Sequence, residues 1–315
     1  MVRVYRTSAE AAGHMAPSAV TIGNFDGVHV GHLKLFKQVV AYALAHGCKP
    51  TVLTFDPHPT KVVAPSRAPR LLITLEERIG RMEAAGIQQV LVLPFDRALS
   101  EMTPAEFLQG ILVDLLGAKA VFVGENFRFG NRQSGDTAML RTLGKTLGYE
   151  THVIPGVELR GRMVSSSEVR RLLEAGQVSL ACRLLNRPYS VEGNIVSGHG
   201  IGSKQTVPTL NLESKAEILP RNGVYITRTH DLDSDRTWPS ITNIGTRPTF
   251  DGQQLSVETY LLTPLEGESP KRIRLEFLRR VRDERKFENA EQLKRQIIKD
   301  AGRATTYFRR TGGLH

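Results

Sequence analysis

Cysteine is scarce in this 315-residue chain: Cys48 and Cys182 are the only two, and neither stands at a metal-ligand spacing. A disulfide framework is thereby excluded, and a reducing cytoplasm is the expected compartment. Long apolar runs are missing as well. No stretch approaches the roughly 18 apolar residues of a membrane span, and residues 1–14 lack the apolar stretch of a signal peptide. No membrane partner is expected. A Walker A loop is also absent: Gly144-Lys145-Thr146 resembles its end, but Met139 stands where the first glycine belongs. Helix-turn-helix, zinc-finger and aromatic RNA-binding signatures are lacking, which argues against a nucleic-acid partner. Internal repeats and low-complexity segments are not found either.

What is present is ordinary in bulk, with 40% hydrophobic and 23% charged residues. The length allows two domains, each with its own core. The formal charge of +10 suits a polyanion, either nucleic acid or nucleotide phosphates, and equally suits a solvated basic surface.

The first half alternates strand-like and helical runs. Ala19–Ile22, Thr51–Phe55, Gln89–Leu93, Ala120–Val123 and His152–Ile154 read as strands, and Leu33, Phe36, Val40 and Ala43 share one helical face. Such alternation predicts a parallel sheet covered by helices, with ligands beyond the carboxyl ends of its strands. Polar clusters follow three of those strands, at 23–32, 56–59 and 124–135. Ser166–Leu173 and Val178–Leu185 read as helices, and Asn186-Arg187-Pro188 then breaks the pattern. Beyond it the chain is strand-like: Tyr189–Ser197, Gly223–Thr229, Ser240–Ile244, Ser256–Leu262, and the strictly alternating Arg272–Phe277. A last helix starts at Asn289 as N-cap with Gln292 at the capping-box position, and Leu293 and Ile297 are expected to face the strands. The expected domains are 1–185 and 186–315.

The segment from Thr21 through Gly23, Asn24, Phe25, Asp26 and Gly27 to His29 and His32 runs from a strand through a glycine turn into a helix. Glycine permits close approach of backbone to a ligand, and a helix N-terminus offers free N–H groups to phosphate. His29 and His32, three apart, are expected on one helical face, where imidazoles can stabilise phosphate charge. Paired histidines alone serve capping or core roles as readily, and no third metal ligand is spaced nearby.

With the strand and turn, His29-Val30-Gly31-His32 resembles the H-x-G-H signature of the nucleotidyltransferase superfamily. Thr54–Pro59, Gly124–Gly130 and Val164–Arg170 extend the likeness, in order and spacing, to the FAD synthetase module of bacterial bifunctional riboflavin kinase/FAD synthetases. The resemblance implies that Gly23, Asn24, Phe25, His29, His32, Ser165, Ser166 and Arg170 bind ATP, and that Asp56, His58, Asn126, Phe127 and Arg128 contact the flavin. Asn126 stands where many members have Asp, and Ser167 where many have Thr.

In the second half, Gly193, Gly198, Gly200 and Gly202 lead to Pro208-Thr209-Leu210-Asn211. The glycines suit either a phosphate-cradling flap or a hairpin with its bulge. The Pro-Thr-x-Asn element resembles the flavokinase signature, and so do Asn222–Tyr225, Thr242–Phe250, Val257–Leu262 and Arg282–Phe287. By that resemblance Gly198, Gly200, Gly202 and Lys204 bind ATP, Thr209 and Asn211 hold Mg²⁺, Asn243, Arg247 and Glu258 meet the flavin, and Glu258 is the general base. Thr209 and Asn211 offer the oxygen ligands that a hard cation takes, and phosphoryl transfer to a hydroxyl needs a proton acceptor. The sequence departs from the usual pattern at Ser203 (for Arg), Thr206 (for Gly), Val207 (for Phe), Leu210 (for Ala) and Tyr260 (for His).

The expected architecture is an α/β nucleotidyltransferase domain with a Rossmann-like parallel sheet, then a flavokinase β-barrel with a C-terminal helix. The implied chemistry converts riboflavin to FMN and FMN to FAD, using ATP and Mg²⁺, with small-molecule substrates as partners. Two rivals stand beside it: an adenylyltransferase whose barrel binds flavin without phosphorylating it, and a flavin-sensing nucleic-acid binder.

Overall fold

The computed structural model describes residues 1–15, 17–196, 209–249 and 252–312, with backbone alone for 247–249, 252–254 and 290. The chain divides into two compact units, Met1–Ser166 and Ser167–His315.

In the first unit, β1 (Arg3–Tyr5), β2 (Ser18–Ile22), β3 (Lys49–Asp56), β4 (Gln89–Pro94), β5 (Ala118–Gly124) and β6 (Glu150–Ile154) make one sheet in the order β1-β4-β3-β2-β5-β6. All its pairings are parallel. Parallel strands are covered on both faces, so they read as continuous apolar runs, and all five residues of β2 are buried. The connections are α1 (Ser8–Ala11), α2 (Val30–His46), α3 (Pro59–Val63), α4 (Leu75–Ala84), α5 (Arg97–Glu101), α6 (Pro104–Glu106), a π-helical stretch at Phe107–Leu115, and α7 (Thr137–Leu147). A small hairpin of β7 (Glu158–Leu159) and β8 (Arg162–Met163) follows β6.

α2 buries Leu35, Phe36, Val39 and Ala43. The stripe is shifted from the expected one, with Leu33 and Val40 at its half-buried margins, because the helix rests on β2 and β3 together. Leu53, Leu91, Leu108, Leu112, Leu116 and Val121 are wholly buried in one cluster of the sheet core, each stabilising the fold by about 1.5–3 kcal/mol. Gly144 lies inside α7, packed on Tyr149. It is a packing glycine with no phosphate loop around it.

In the second unit, α8 (Ser166–Glu174), which starts at the boundary, and α9 (Val178–Leu185) precede a closed barrel. Asn186 ends α9 in the left-handed conformation (φ 56°), which Asn tolerates better than most residues. The barrel strands are β9 (Tyr189–Val196), β10 (Thr209–Ser214), β11 (Gly223–Asp231), β12 (Thr237–Thr249), β13 (Gly252–Leu261) and β14 (Arg272–Arg282), in the order β10-β13-β12-β11-β14-β9. All pairings are antiparallel, and closure leaves no exposed edge. Gly193 is part of β9: a Cβ there would overlap the Glu213 carbonyl oxygen of β10.

A ladder of hydroxyls is buried in the barrel wall. Thr227 Oγ1 bonds Ser240 Oγ at 2.8 Å and Thr242 Oγ1 at 2.7 Å, Thr229 donates to Ser240 at 2.8 Å, and Thr242 bonds Thr259 at 2.8 Å. All five residues are fully buried, and because a hydroxyl can donate or accept, each finds a partner within the ladder.

α10 (Ala290–Thr311) begins as expected, with the Asn289 side chain accepting from Gln292 N–H. Gln292, however, accepts from the Glu288 N–H rather than that of Asn289. The expected contact of Leu293 also fails: it is 38% exposed, whereas Ala304 and Phe308 are buried with Val224, Ile226 and Ile241. A helix of 22 residues is about 33 Å long, and the residues that bury against the barrel, Ala304 and Phe308, lie in its later turns. There Asp300 takes a 2.7 Å ion pair from Arg282 Nε and a 2.8 Å hydrogen bond from Gln296.

Candidate functional site

The strand order fixes where ligands gather in the first unit. β3 and β4 lie on one side of β2, and β5 and β6 on the other, so the topology reverses between β2 and β5. A crevice opens at such a switch point, beyond the carboxyl ends of the strands. The three polar clusters follow β3, β2 and β5, which are neighbours in the sheet.

After β2 the chain turns sharply. Phe25 and Val28 adopt positive φ (51° and 39°), and Gly27 lies between them at 79°. The Asp26 carboxylate anchors the turn by accepting from Leu72 N–H at 3.0 Å and Ile73 N–H at 3.4 Å. From the other side, Ser166 Oγ donates to the Asp26 carbonyl at 2.8 Å. The Phe25 ring, buried, meets His32 edge-on and packs on Phe36.

His29 and His32 come together, though not on one helical face. His29 is the N-cap of α2, with extended backbone, and its Nδ1 accepts from His32 N–H at 3.4 Å. The cap satisfies one of the unpaired N–H groups of the first turn. The two rings stack with centroids 3.6 Å apart. Burial, then His29, then Arg78 push the His32 imidazole well below its ordinary pKa, so it stays neutral and able to hydrogen-bond a phosphate.

Asp56 closes β3, and His58 caps α3, its Nδ1 accepting from Thr60 N–H at 3.2 Å. His58 Nε2 lies 3.0 Å from the Asn24 side-chain amide, which ties the β3 cluster to the β2 turn. After β5, Asn126 and Arg128 are exposed and Phe127 is half-buried. Phe127 stacks with Phe129 at 5.5 Å, and Arg128 lies 3.5 Å from Asp136. An aromatic pair with polar neighbours offers a flat face to a planar ring. Ser165 is half-buried beside Ser166; Arg170 lies on α8, in the second unit.

Arg78 was not singled out by any motif. It is 4% exposed, on the buried stripe of α4 with Leu75 and Met82. Its Nη1 donates to the Asn24 carbonyl at 2.6 Å and to Thr54 Oγ1 at 3.2 Å. The only signal in the sequence is a cation where the apolar period calls for a hydrophobe.

In the barrel, Asn211 of β10, Glu258 of β13 and Asn243 of β12 are cross-strand partners in one row. Side chains on one face of such a row are about 5 Å apart at Cβ. Glu258 Oε1 accepts from Ser256 Oγ at 3.3 Å. Thr209 pairs with Tyr260 one step along the same face. Gly245 sits against Glu284, whose other carboxylate oxygen takes Asn222 Nδ2 at 3.3 Å. Gly198, Gly200, Gly202 and Lys204 fall outside the described residues, and Arg247 is described by its backbone only. Among the described residues, no group of three or more His, Cys, Asp or Glu is placed to hold a metal ion.

A family model for FAD synthetase matches residues 12–168, and one for riboflavin kinase matches residues 185–308. A bifunctional riboflavin kinase/FMN adenylyltransferase of Pseudomonas fluorescens is 35% identical over 285 residues, 90% of this chain and 91% of that one. The chain belongs to that bifunctional family. The Escherichia coli K12 protein of the same name is 32% identical over 289 residues, 92% of both chains. A crystal structure described as a macrolide-efflux protein of Streptococcus pneumoniae superposes with a TM-score of 0.84, covering 95% of this chain and 97% of that one. Their identity is 23%, so the likeness is one of fold. The family's two-part organisation accounts for the change of architecture between sheet and barrel. Among the described residues, no helix is long and apolar enough to cross a membrane.

Proposed function

We propose that the chain makes FAD in two ATP-dependent steps, phosphorylating riboflavin in the barrel and adenylylating the resulting FMN on the parallel sheet. The observation that carries this reading is the convergence of three polar clusters at the β2–β5 reversal, alongside a separate Asn–Glu–Asn row on the barrel. Two sites suit two reactions.

The two nucleophiles differ, and so do the residues offered to them. In the adenylylation an FMN phosphate oxygen attacks the α-phosphorus of ATP, and pyrophosphate leaves. That oxygen is already anionic near neutral pH, so no general base is needed. The task is to stabilise charge on the phosphates, and Gly23, Asn24, Phe25, His29, His32, Ser165 and Ser166 are proposed to do so at the start of α2. Asp56, His58, Asn126, Phe127 and Arg128 are proposed to receive the flavin. In the kinase step the nucleophile is the riboflavin 5′-hydroxyl, which must lose a proton. Glu258 is proposed as its acceptor, with Asn243 and Arg247 holding the flavin.

Thr209 and Asn211 present neutral oxygens next to the Glu258 carboxylate, a hard-donor set that fits Mg²⁺ only together with nucleotide phosphates. When bound, the cation supplies neutralisation of phosphate charge. The catalytic division is proposed between Leu185 and Asn186. Incubation with riboflavin, ATP and Mg²⁺, followed by chromatographic separation of flavins, tests the reading. FMN appears first and FAD second; FAD from supplied FMN with no FMN from riboflavin would leave only the adenylyltransferase.

A further inference from the structure

Arg78 is a buried cation with no direct counter-ion among the described residues. Its Nη1 carries two hydrogen bonds, to the Asn24 carbonyl at 2.6 Å and to Thr54 Oγ1 at 3.2 Å, while its Nε, fully covered, has no partner among the described residues. No carboxylate forms an ion pair with it among the described residues. Asp26, Asp56 and Glu76 act on it only from farther away. Arg is almost never buried this deeply unless paired, because an uncompensated charge is costly in a poorly polarisable interior. Such a cost is tolerated where the charge serves the site.

We propose that Arg78 is a positioning residue of the adenylylation step, a fixed cation beneath the phosphate-binding turn that holds the Asn24 peptide in place and attracts the ATP phosphates toward His29 and His32. The inference rests on the adenylyltransferase reading of this site. Three observations carry it. The bond to the Asn24 carbonyl fixes the backbone immediately ahead of Phe25, whose ring packs against His32. The bond to Thr54 couples that turn to β3, which leads to Asp56 and His58. Beyond burial and His29, the same charge opposes protonation of His32 across the site; the ring Nδ1 of His32 is itself covered and has no partner among the described residues. Around this pair stand the N-cap His29, the Phe25 ring edge and Arg78 of α4, with Asp26, Asp56 and Glu76 about the guanidinium and His58 joined through Asn24.

The full-length chain carries its own control, since the barrel does not use Arg78. Arg78→Met and Arg78→Lys are compared with the unmodified protein by thermal melting, riboflavin phosphorylation, FMN adenylylation at varied ATP, and NMR titration of the His32 ring in ¹³C-histidine-labelled protein. In folded Arg78→Met, kcat/KM for ATP in adenylylation falls by roughly 100-fold, the scale of a lost preorganised cation. Its His32 ring titrates at higher pH than in the unmodified protein, and riboflavin phosphorylation is unchanged. Arg78→Lys keeps the charge, so its His32 titrates as in the unmodified protein while adenylylation recovers only in part. If Arg78→Met does not fold, Arg78→Lys decides: a raised His32 titration or unmodified adenylylation kinetics would overturn the proposal. In folded Arg78→Met, loss of activity with an unmoved His32 titration reduces Arg78 to a structural role and also overturns it. Absence of adenylylation in the unmodified protein would instead remove the underlying functional reading, and the titration would still be measurable.

Discussion

Asn211 on β10 and Glu258 on β13 are direct cross-strand partners, and Asn243 continues their row onto β12. Nothing in sequence spacing links positions 47 residues apart; the antiparallel register does. The row sets a carboxylate between two amide-bearing residues, with Ser256 Oγ donating to it at 3.3 Å, an arrangement that suits a proton acceptor beside phosphate and metal.

Replacement of Glu258 by Gln keeps the shape of the row and removes the acceptor. FMN formation from riboflavin should fall by roughly two to four orders of magnitude, with FAD formation from supplied FMN unaffected. Separate assays of the two half-reactions check this, and equal losses in both would place Glu258 in the fold rather than in the chemistry.

His29→Ala and His32→Ala should each lower FMN-to-FAD conversion by roughly 100-fold while sparing riboflavin phosphorylation. The pH dependence follows from the lowered His32 pKa. In the unfolded chain this histidine takes up a proton near pH 6.5; in the folded protein it does so only at lower pH. Its contribution to stability is therefore complete above about pH 6.5 and is lost as pH falls toward the folded value. Denaturant midpoints between pH 5 and 8 should drop on the acid side, and less steeply in His32→Ala.

Thr227→Val removes the hydroxyl that joins Ser240 to Thr242 inside the barrel wall. The change is nearly isosteric, so the loss is of hydrogen bonds in a water-free place, costing about 1–3 kcal/mol. Urea unfolding of the isolated Ser167–His315 unit measures it, and a midpoint equal to the unmodified one would show the ladder to be dispensable.

α8 and α9 belong by packing to the barrel: Ser179 Oγ donates to the Leu278 carbonyl at 2.9 Å, and Leu172, Leu173, Ala181 and Leu185 are buried. A fragment of residues 1–185 should convert FMN, whereas 186–315 should melt below 167–315 because it lacks both helices. Circular dichroism of the two barrel fragments decides the second point; equal melting would show the helices to be independent of the barrel.

The parallel sheet was legible in the sequence because strands buried on both faces leave unbroken apolar runs, and helices between them leave a 3.6-residue period. The H-x-G-H and Pro-Thr-x-Asn elements were legible because they are short and local. Arg78 was not, since its meaning lies in contacts to Asn24 and Thr54, 54 and 24 residues away. Nor was the arrangement of His29, which spacing placed on a helical face and capping geometry placed ahead of the helix. Leu293 was misplaced because periodicity gives the face of a helix but not how much of its length meets a neighbour. Composition and local pattern determined which elements form; strand order and barrel register, set by packing between distant segments, decided which residues share a site.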